Sequence, residues 1–323
     1  MLKEFLKSVT KTSVMVIGDI MLDKYLCGEI KRKSTEAPID IVDINSEQEK
    51  IGGAANVALS LKNLKTEVSL FGFVGDDQTG KKVISIIKKN KINTKGILID
   101  GQTTLKTRII TSKKNHHSRF DVEKINYKNS KNKEKLLSII KSNIPKVDFL
   151  ILQDYNKGLL DKNMIENILV EAKKNKKPVM VDPKEKYFTK YTGVNLIKPN
   201  LKEATKLLQQ KIELTNKSLK NACLNIQKKI KSDWIILTLG KNGLCVFFEG
   251  QFYRQKGEPK KDPDVTGAGD NVICIASLAI FHKISIQKIA KLSNICGELA
   301  CNGIGTNPIN YNELITKLNQ NDI

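Results

Sequence analysis

At 323 residues, 40% of them apolar, the chain is long enough to bury a sizeable core as one large α/β domain or two smaller ones, which excludes a disordered protein. The formal charge of +21 invites a nucleic-acid reading, but nearly all of the 55 basic residues are lysines. Arg32, Arg108, Arg119 and Arg254 are the only arginines, whereas nucleic-acid readers favour arginine for bidentate contacts, so nucleic acid is not an expected partner.

The lysines come in pairs along helical stretches, as in Lys81-Lys82 and Lys228-Lys229, which is how a solvated face is built. The six cysteines form no CxxC pair, lie mostly in apolar context and read as reduced, buried thiols. The N-terminus is too polar to begin a secretion signal, and no apolar run is long enough to span a bilayer. A soluble, cytoplasmic protein without membrane contact is the expectation.

In chain order, a short N-terminal helix precedes Ser13-Val14-Met15-Val16-Ile17-Gly18-Asp19, a continuous apolar run ending in Gly-Asp. Such a run reads as a buried parallel strand reaching the C-terminal edge of a sheet, where α/β folds bind ligands, and Asp23 follows near the same edge. From Tyr25 to Lys50 short alternating pieces predict antiparallel ribbon on an exposed side. Gly52-Gly53-Ala54-Ala55-Asn56 then opens a helix with residues too small to fill space. They serve close helix–sheet packing or the approach of backbone to a ligand that Asn56 hydrogen-bonds.

Val68 to Val74 is the next strand, and Gly75-Asp76-Asp77 caps the helix after it. Lys106 to Phe120 alternates again, with Thr107, Ile109 and Thr111 on one face and Arg108 and Ile110 on the other. Two ribbons separated by a βα unit would make a small lid over one mouth of the sheet, spanning residues 24–50 and 103–122. His116 and His117 fall in a polar turn and have no spaced acidic or thiol partner for a metal site.

From Asp148 onward strands and helices alternate as in a parallel sheet. The strands end at Asp154-Tyr155, Asp182-Pro183-Lys184, Pro199-Asn200 with Glu203 one turn later, and Gly240-Lys241-Asn242-Gly243. Each polar end could be a helix cap; together they predict one polar crevice at one sheet edge.

Asp264-Val265-Thr266-Gly267-Ala268-Gly269-Asp270 precedes an apolar run with the composition of a buried helix. Glycines at a helix start leave unpaired N–H groups open to an anion, and a carboxylate beside that anion suits proton removal from a hydroxyl attacking phosphorus. An N-capping Asp after a glycine turn is the alternative. No GxxxxGK[ST] loop and no protein-kinase motif set is present. One main domain of residues 1–323 carrying a lid is expected.

Those residues carry a family resemblance. The 264–270 stretch resembles the C-terminal signature of the ribokinase-like (PfkB) sugar kinases, and Gly52 to Asn56 their N-terminal signature. Lys198-Pro199-Asn200-Leu201-Lys202-Glu203 is similar to their Asn-x-x-Glu element. The resemblance covers nearly the whole chain and implies a three-layer α/β/α sandwich with a mainly parallel sheet and a β-ribbon lid. More narrowly, Gly18 to Tyr25, Arg32 to Pro38, Asp154 to Gly158 and Asp182 to Lys184 resemble the heptose 7-phosphate kinase subfamily. Thr35 replaces its usual proline, and Asn271 stands where Thr or Ser commonly follows the acidic residue. Many members carry a fused nucleotidyltransferase with a His-x-Gly-His motif; this chain has three histidines, none so arranged, which predicts the stand-alone kinase.

The resemblance implies ATP and Mg²⁺ as cofactors, with a monovalent cation as a further candidate. It makes Asp270 the base, with Gly267, Ala268 and Gly269 stabilising the transferring phosphoryl group. Asn200 and Glu203 would hold magnesium through water; Thr238, Gly240, Gly243, Thr266 and Asn294 would contact nucleotide. Asp19, Asp23, Gly52, Gly53 and Asn56 would face sugar hydroxyls. Arg108, Arg119, Lys157 and Lys184 are the candidates for a distal phosphate on the sugar. The expected reaction is phosphorylation of D-glycero-β-D-manno-heptose 7-phosphate at C1; the alternatives are another acceptor, such as ribose or fructose 1-phosphate, and an inactive sugar-binding regulator. Open ribbon edges favour a homodimer through the lid.

Overall fold

The computed structural model describes residues 2–111, 116–123, 130–258 and 264–320. Its strands are β1 (Ser13–Gly18), β2 (Ile20–Lys33), β3 (Asp40–Gly53), β4 (Glu67–Val74), β5 (Asn93–Ile99), β6 (Thr104–Thr111), β7 (His116–Val122), β8 (Phe149–Gln153), β9 (Val179–Asp182), β10 (Leu196–Ile197), β11 (Trp234–Thr238), β12 (Leu244–Phe248) and β13 (Gln251–Gln255). The helices are α1 (Leu2–Ser8), α2 (Ala54–Asn63), α3 (Gln78–Lys89), α4 (Ser130–Asn143), α5 (Lys162–Lys174), α6 (Leu201–Leu208), α7 (Asn216–Ile230), α8 (Ala268–Phe281), α9 (Ile286–Ala300) and α10 (Tyr311–Gln320).

Nine strands form the central sheet in the order β13-β12-β11-β10-β9-β8-β1-β4-β5. All neighbours from β11 to β5 are parallel, and β12 and β13 add an antiparallel edge. Strand β1 shows why both faces are covered. Val14 and Val16 enter one core with Val57 and Leu61 of α2, Ile273 and Ile275 of α8 and Ile289 of α9. Met15 and Ile17 enter the other with Leu136 of α4, Ile165 of α5 and Ile226 of α7. An all-apolar strand is stable only when each alternate face is buried, so helices on both sides complete the expected three-layer sandwich.

Helix α8 is buried all round from Asp270 to Ala279, as an uninterrupted apolar run requires. Among the described residues no helix is long and apolar enough to cross a membrane.

The second sheet has four strands in the order β3-β2-β6-β7. β2 and β3 are longer than the expected ribbon, reaching from Ile20 to Gly53, and Gly52 and Gly53 therefore end a strand, with α2 starting at Ala54. Gly53 turns the chain from strand to helix with φ 61° and ψ −136°, where a Cβ would stand 2.3 Å from Asp19 O. α2, β4, α3 and β5 all intervene between the two ribbons, not one βα unit, and β5 was not expected because its Lys95 and Gly96 interrupt the apolar pattern. His116 and His117 begin β7 and do not occupy a turn.

The two faces of β6 are as the alternation predicts: Thr104, Lys106, Arg108 and Ile110 are buried and the residues between them are half-buried. Ile30, Ile44, Phe120 and Val122 remain exposed on this sheet. Four of the cysteines are buried, while Cys27 and Cys301 are only half-buried, and none of the six is in a disulfide.

Candidate active site

The C-terminal ends of β1, β8 and β9 stop level with one another, Gly18 beside Gln153 and Gln153 beside Asp182. A side chain at position 18 is impossible without movement, since its Cβ would lie 2.1 Å from Gln153 O. Beyond β10, the buried Lys198 ammonium lies 3.0 Å from Asp182 Oδ1. At the end of β11, Thr238 is bridged to Asn200. The predicted crevice is therefore one continuous polar edge.

Helix α8 brings Asp270 to this edge. Its Oδ2 accepts from Asn56 Nδ2 at 2.7 Å, and its Oδ1 accepts from the Tyr155 hydroxyl at 2.8 Å and Gln153 Nε2 at 3.0 Å. The Gln153 amide also donates to Asp182 Oδ2 at 3.0 Å. Burial pushes the Asp270 carboxyl up to about 6, with the Asn56 hydrogen bond opposing and the nearby Asp182 charge adding to the rise. A carboxylate of that basicity, held by three donors from α2, β8 and the loop after β8, can accept a proton near neutral pH.

Gly267 precedes α8 with φ 80°, and a Cβ there would press on Asn56 Nδ2 at 3.2 Å. A Cβ on Gly269 would meet Lys198 Nζ at 3.2 Å. The N–H groups of Gly269 and Asp270 in the first helical turn and a lysine thus converge on one spot, a combination that attracts an anion. It opens into a cleft of about 360 Å³ lined by Gly267, Ala268, Gly269 and Asp270 and by Asn200, Thr238, Gly240, Gly243 and Asn294.

Two expected cleft residues sit elsewhere. Thr266 turns its N–H and Oγ1 to Asp264 Oδ1, at 3.0 and 2.6 Å, and does not line the cleft. Glu203 is buried behind Asn200 in a capping box: its Oε2 accepts from Asn200 N at 2.8 Å, and Asn200 Oδ1 from Glu203 N at 2.9 Å. Glu203 Oε1 also takes Lys184 at 2.5 Å. Each of these oxygens accepts one bond and keeps a second lone pair, so Asn200 and Glu203 fit a magnesium ion as acceptors from its bound waters.

On the other side of Asp270, Asp19 Oδ2 accepts from the Tyr155 and Lys157 N–H groups at 2.9 and 3.0 Å. Burial raises the Asp19 carboxyl above its ordinary value, and these backbone donors pull the other way. Asp19 Oδ1, Asn56 Oδ1 and Gln153 Oε1 are buried acceptors without a partner among the described residues. Three orphaned acceptors are what a ligand rich in hydroxyl donors would satisfy. Gly52 packs against Asp23, where a Cβ would fall 2.2 Å from Oδ2.

All four predicted distal cations are already paired. Arg108 is 2.6 Å from Asp23 with both side chains buried; Arg119 holds both oxygens of Asp121; Lys157 is paired with Glu123, and Lys184 with Glu203. Asp121 lies two residues from Arg119 on the same strand, but Asp23, Glu123 and Glu203 come from other elements, which spacing along the chain does not reveal. Sequence reasoning missed Gln153, Tyr155, Asp182 and Lys198 as parts of the Asp270 cluster, and Lys106 on the buried face of β6. The period-two face that singled out Arg108 contained Lys106 as well. Asn271 acts as a packing pin, accepting from Ser60 Oγ at 2.9 Å and donating to Asn307 O at 2.9 Å.

A family model described as pfkB family carbohydrate kinase matches residues 11–312. The bifunctional protein HldE of Helicobacter pylori strain J99 is 36% identical over 309 residues, which cover 95% of this chain and 66% of that relative. The chain thus spans just under two thirds of that protein's length. Among solved structures, Arabidopsis thaliana ribokinase complexed with ribose and ATP superposes with a TM-score of 0.73 at 17% identity, covering 95% of this chain and 99% of that one. Escherichia coli phosphofructokinase-2 in complex with fructose-6-phosphate gives 0.74 at 14% identity, covering 95% and 97%. At those identities the structures establish the ribokinase-like fold.

The Asp270 carboxyl makes stability depend on pH. Its folded value lies above the ordinary 3.8, so the contribution of the protonated group is complete below about pH 4 and is lost as pH rises through about 6. Asp270→Asn removes that loss. Urea denaturation should show the variant gaining on the wild type by on the order of 3 kcal/mol between pH 4 and pH 8. The same stability difference at both pH values would contradict the buried-charge account.

Proposed function

The chain belongs to the pfkB family of carbohydrate kinases and is a phosphotransferase with a sugar hydroxyl as acceptor, and we propose that this acceptor is D-glycero-β-D-manno-heptose 7-phosphate, phosphorylated at C1 by ATP to the 1,7-bisphosphate. The product would feed ADP-heptose and lipopolysaccharide-core synthesis, and ATP as donor suits a cytoplasmic enzyme. We read residues 1–323 as one kinase domain with the four-stranded sheet as its lid. The observation that carries the reading is the place of Asp270, between an anion-attracting helix start with its cleft on one side and three orphaned acceptors on the other. The resemblance of residues 18–25, 32–38, 154–158 and 182–184 to heptose 7-phosphate kinases, and the kinship with HldE, support this choice of sugar.

In the proposed reaction the sugar's anomeric oxygen attacks the γ-phosphorus of ATP, the bond from that phosphorus to the β,γ-bridging oxygen breaks, and ADP departs. Asp270 takes the hydroxyl proton as the new P–O bond forms. The N–H groups at the start of α8 and the Lys198 ammonium stabilise charge on the moving phosphoryl group. Asn200, Thr238, Gly240, Gly243 and Asn294 hold the nucleotide in the cleft, and Asp19, Gly52, Gly53 and Asn56 hold and orient the sugar. Asp23 acts through Arg108, which it keeps folded against the lid. Magnesium, held through its waters by Asn200 and Glu203, would supply neutralisation of the β- and γ-phosphates. Covering the site with the lid would exclude water that would otherwise hydrolyse ATP.

We also propose that two copies pair through the lid, whose edge strands β3 and β7 are open and whose Ile30, Ile44, Phe120 and Val122 are exposed. Sedimentation equilibrium should then give twice the chain mass of 36.2 kDa, and Phe120→Lys should shift it toward the single chain. A wild-type monomer would end this reading.

Asp270→Asn should lower kcat by about a thousandfold or more while ATP affinity stays within about threefold. Activity within tenfold of wild type would remove Asp270 as the base. The wild-type kcat should fall as pH drops through about 6, the range in which the carboxylate is protonated. An acceptor panel should show turnover of heptose 7-phosphate above ribose and fructose 1-phosphate; turnover of those sugars without the heptose would replace the acceptor.

A further inference from the structure

Lys106, Arg108 and Lys198 are the buried cations among the described residues. Arg108 lies against Asp23 and Lys198 against Asp182. Among the described residues Lys106 has no carboxylate in contact. The register sets Asp23 of β2 and Asp121 of β7 beside it, but Asp23 is engaged by Arg108 at 2.6 Å and Asp121 by Arg119 at 2.8 and 2.6 Å. Burial pulls the ammonium below its ordinary value, and Lys157, Arg119 and Arg108 pull it the same way against the attraction of Asp23. An unpaired cation in such a place is costly to the fold, so a fold that keeps it has an anion to offer it.

The direction of Lys106 is fixed by what it touches. Its Nζ stands 4.9 Å from the centroid of the Tyr155 ring, and the hydroxyl of that ring donates to Asp270 at 2.8 Å. One aromatic ring therefore separates the ammonium from the proposed base. Lys184 also meets this ring, 5.5 Å from its centroid, but it is bound to Glu203 and lines the nucleotide cleft. An acceptor with its reacting hydroxyl at Asp270 and an anion at its far end would lie along Tyr155 and reach Lys106. Arg119 and Lys157 are each held by a carboxylate of their own, so they are not free to serve as direct ligands.

We propose that Lys106 is the specificity-determining residue that binds the phosphate already carried by the acceptor sugar. This rests on the acceptor reading given above. It replaces the four cations suggested by the sequence with the buried cation that, among the described residues, has no carboxylate in contact.

The test compares heptose 7-phosphate with the same heptose lacking phosphate, in wild type, Lys106→Met, Lys106→Gln and Lys106→Arg. The wild type should prefer the phosphorylated sugar. The two neutral variants should lose about 10- to 100-fold in kcat/KM for the sugar phosphate, mostly through KM, as expected for one charge-assisted hydrogen bond. Their kcat/KM for the unphosphorylated heptose and KM for ATP should stay within about threefold, and Lys106→Arg should recover most of the loss. Their Tm without ligand should be no lower than wild type, because an unpaired buried charge is removed, while the rise in Tm on adding heptose 7-phosphate should disappear. Unchanged preference for the phosphorylated sugar in the neutral variants would overturn the role of Lys106 and leave the acceptor reading standing. Equal losses on both sugars would mean that Lys106 only props Tyr155. A wild type indifferent to the phosphate would overturn the acceptor reading, and Lys106 with it.

Discussion

The structure turns on a carboxylate taken out of water without a cation in contact with it. Asp270 is stabilised by three neutral donors and by its place in the first turn of α8, and each donor arrives on a different element. Gln153 extends the cluster to Asp182, Asp182 to Lys198, and Lys198 approaches Gly269 beside Asp270 again. The result is a closed ring of polar groups around the helix start. It exists only when α2, the ends of β8 and β9 and the start of α8 are packed together, and the apolar body of α8 supplies the burial that holds it there.

The lid is joined to this ring mechanically. The Tyr25 hydroxyl of β2 accepts from Thr306 N at 3.1 Å, and Lys50 of β3 donates to Ile304 O and Asn307 Oδ1 at 2.6 and 2.9 Å. The same loop gives Gly305 N to Asp264 Oδ2 at 2.7 Å, and Asp264 holds Thr266 in front of the helix start. Thr266, expected as a nucleotide contact, thus belongs to the support of the anion loop. In the lid the buried Asp23 of β2 pairs with the buried Arg108 of β6, and Arg119 pairs with Asp121 along β7, whereas the buried Lys106 has no carboxylate in contact among the described residues; that difference separates the groups that build the lid from the one proposed to meet a ligand.

Much of the fold was legible along the chain because local patterns carried it. The apolar runs of β8, β9 and β11 ended in a polar residue, those of β1 and β4 led into Asp19 and Gly75-Asp76, and the alternation in β6 divided its faces correctly. The glycine-rich turn before α8 and the Asn200–Glu203 pair were equally visible, although the pair proved to be a capping box with its oxygens committed. The lid's full extent was less visible, since β2 and β3 continue through polar residues that only strand pairing makes regular.

What the sequence alone determined was the class of fold, the sheet edge that carries chemistry and the residue types at that edge, since periodicity and turn chemistry act over a few residues. Tertiary structure decided which charges are free. Arg108 and Lys106 stand two residues apart on one face of one strand, and nothing local distinguishes them. Asp23, on a strand 85 residues away from Arg108, takes one of them and leaves the other. Electrostatic pairing depends on distance in space, and a strand order that brings β2 beside β6 sets that distance.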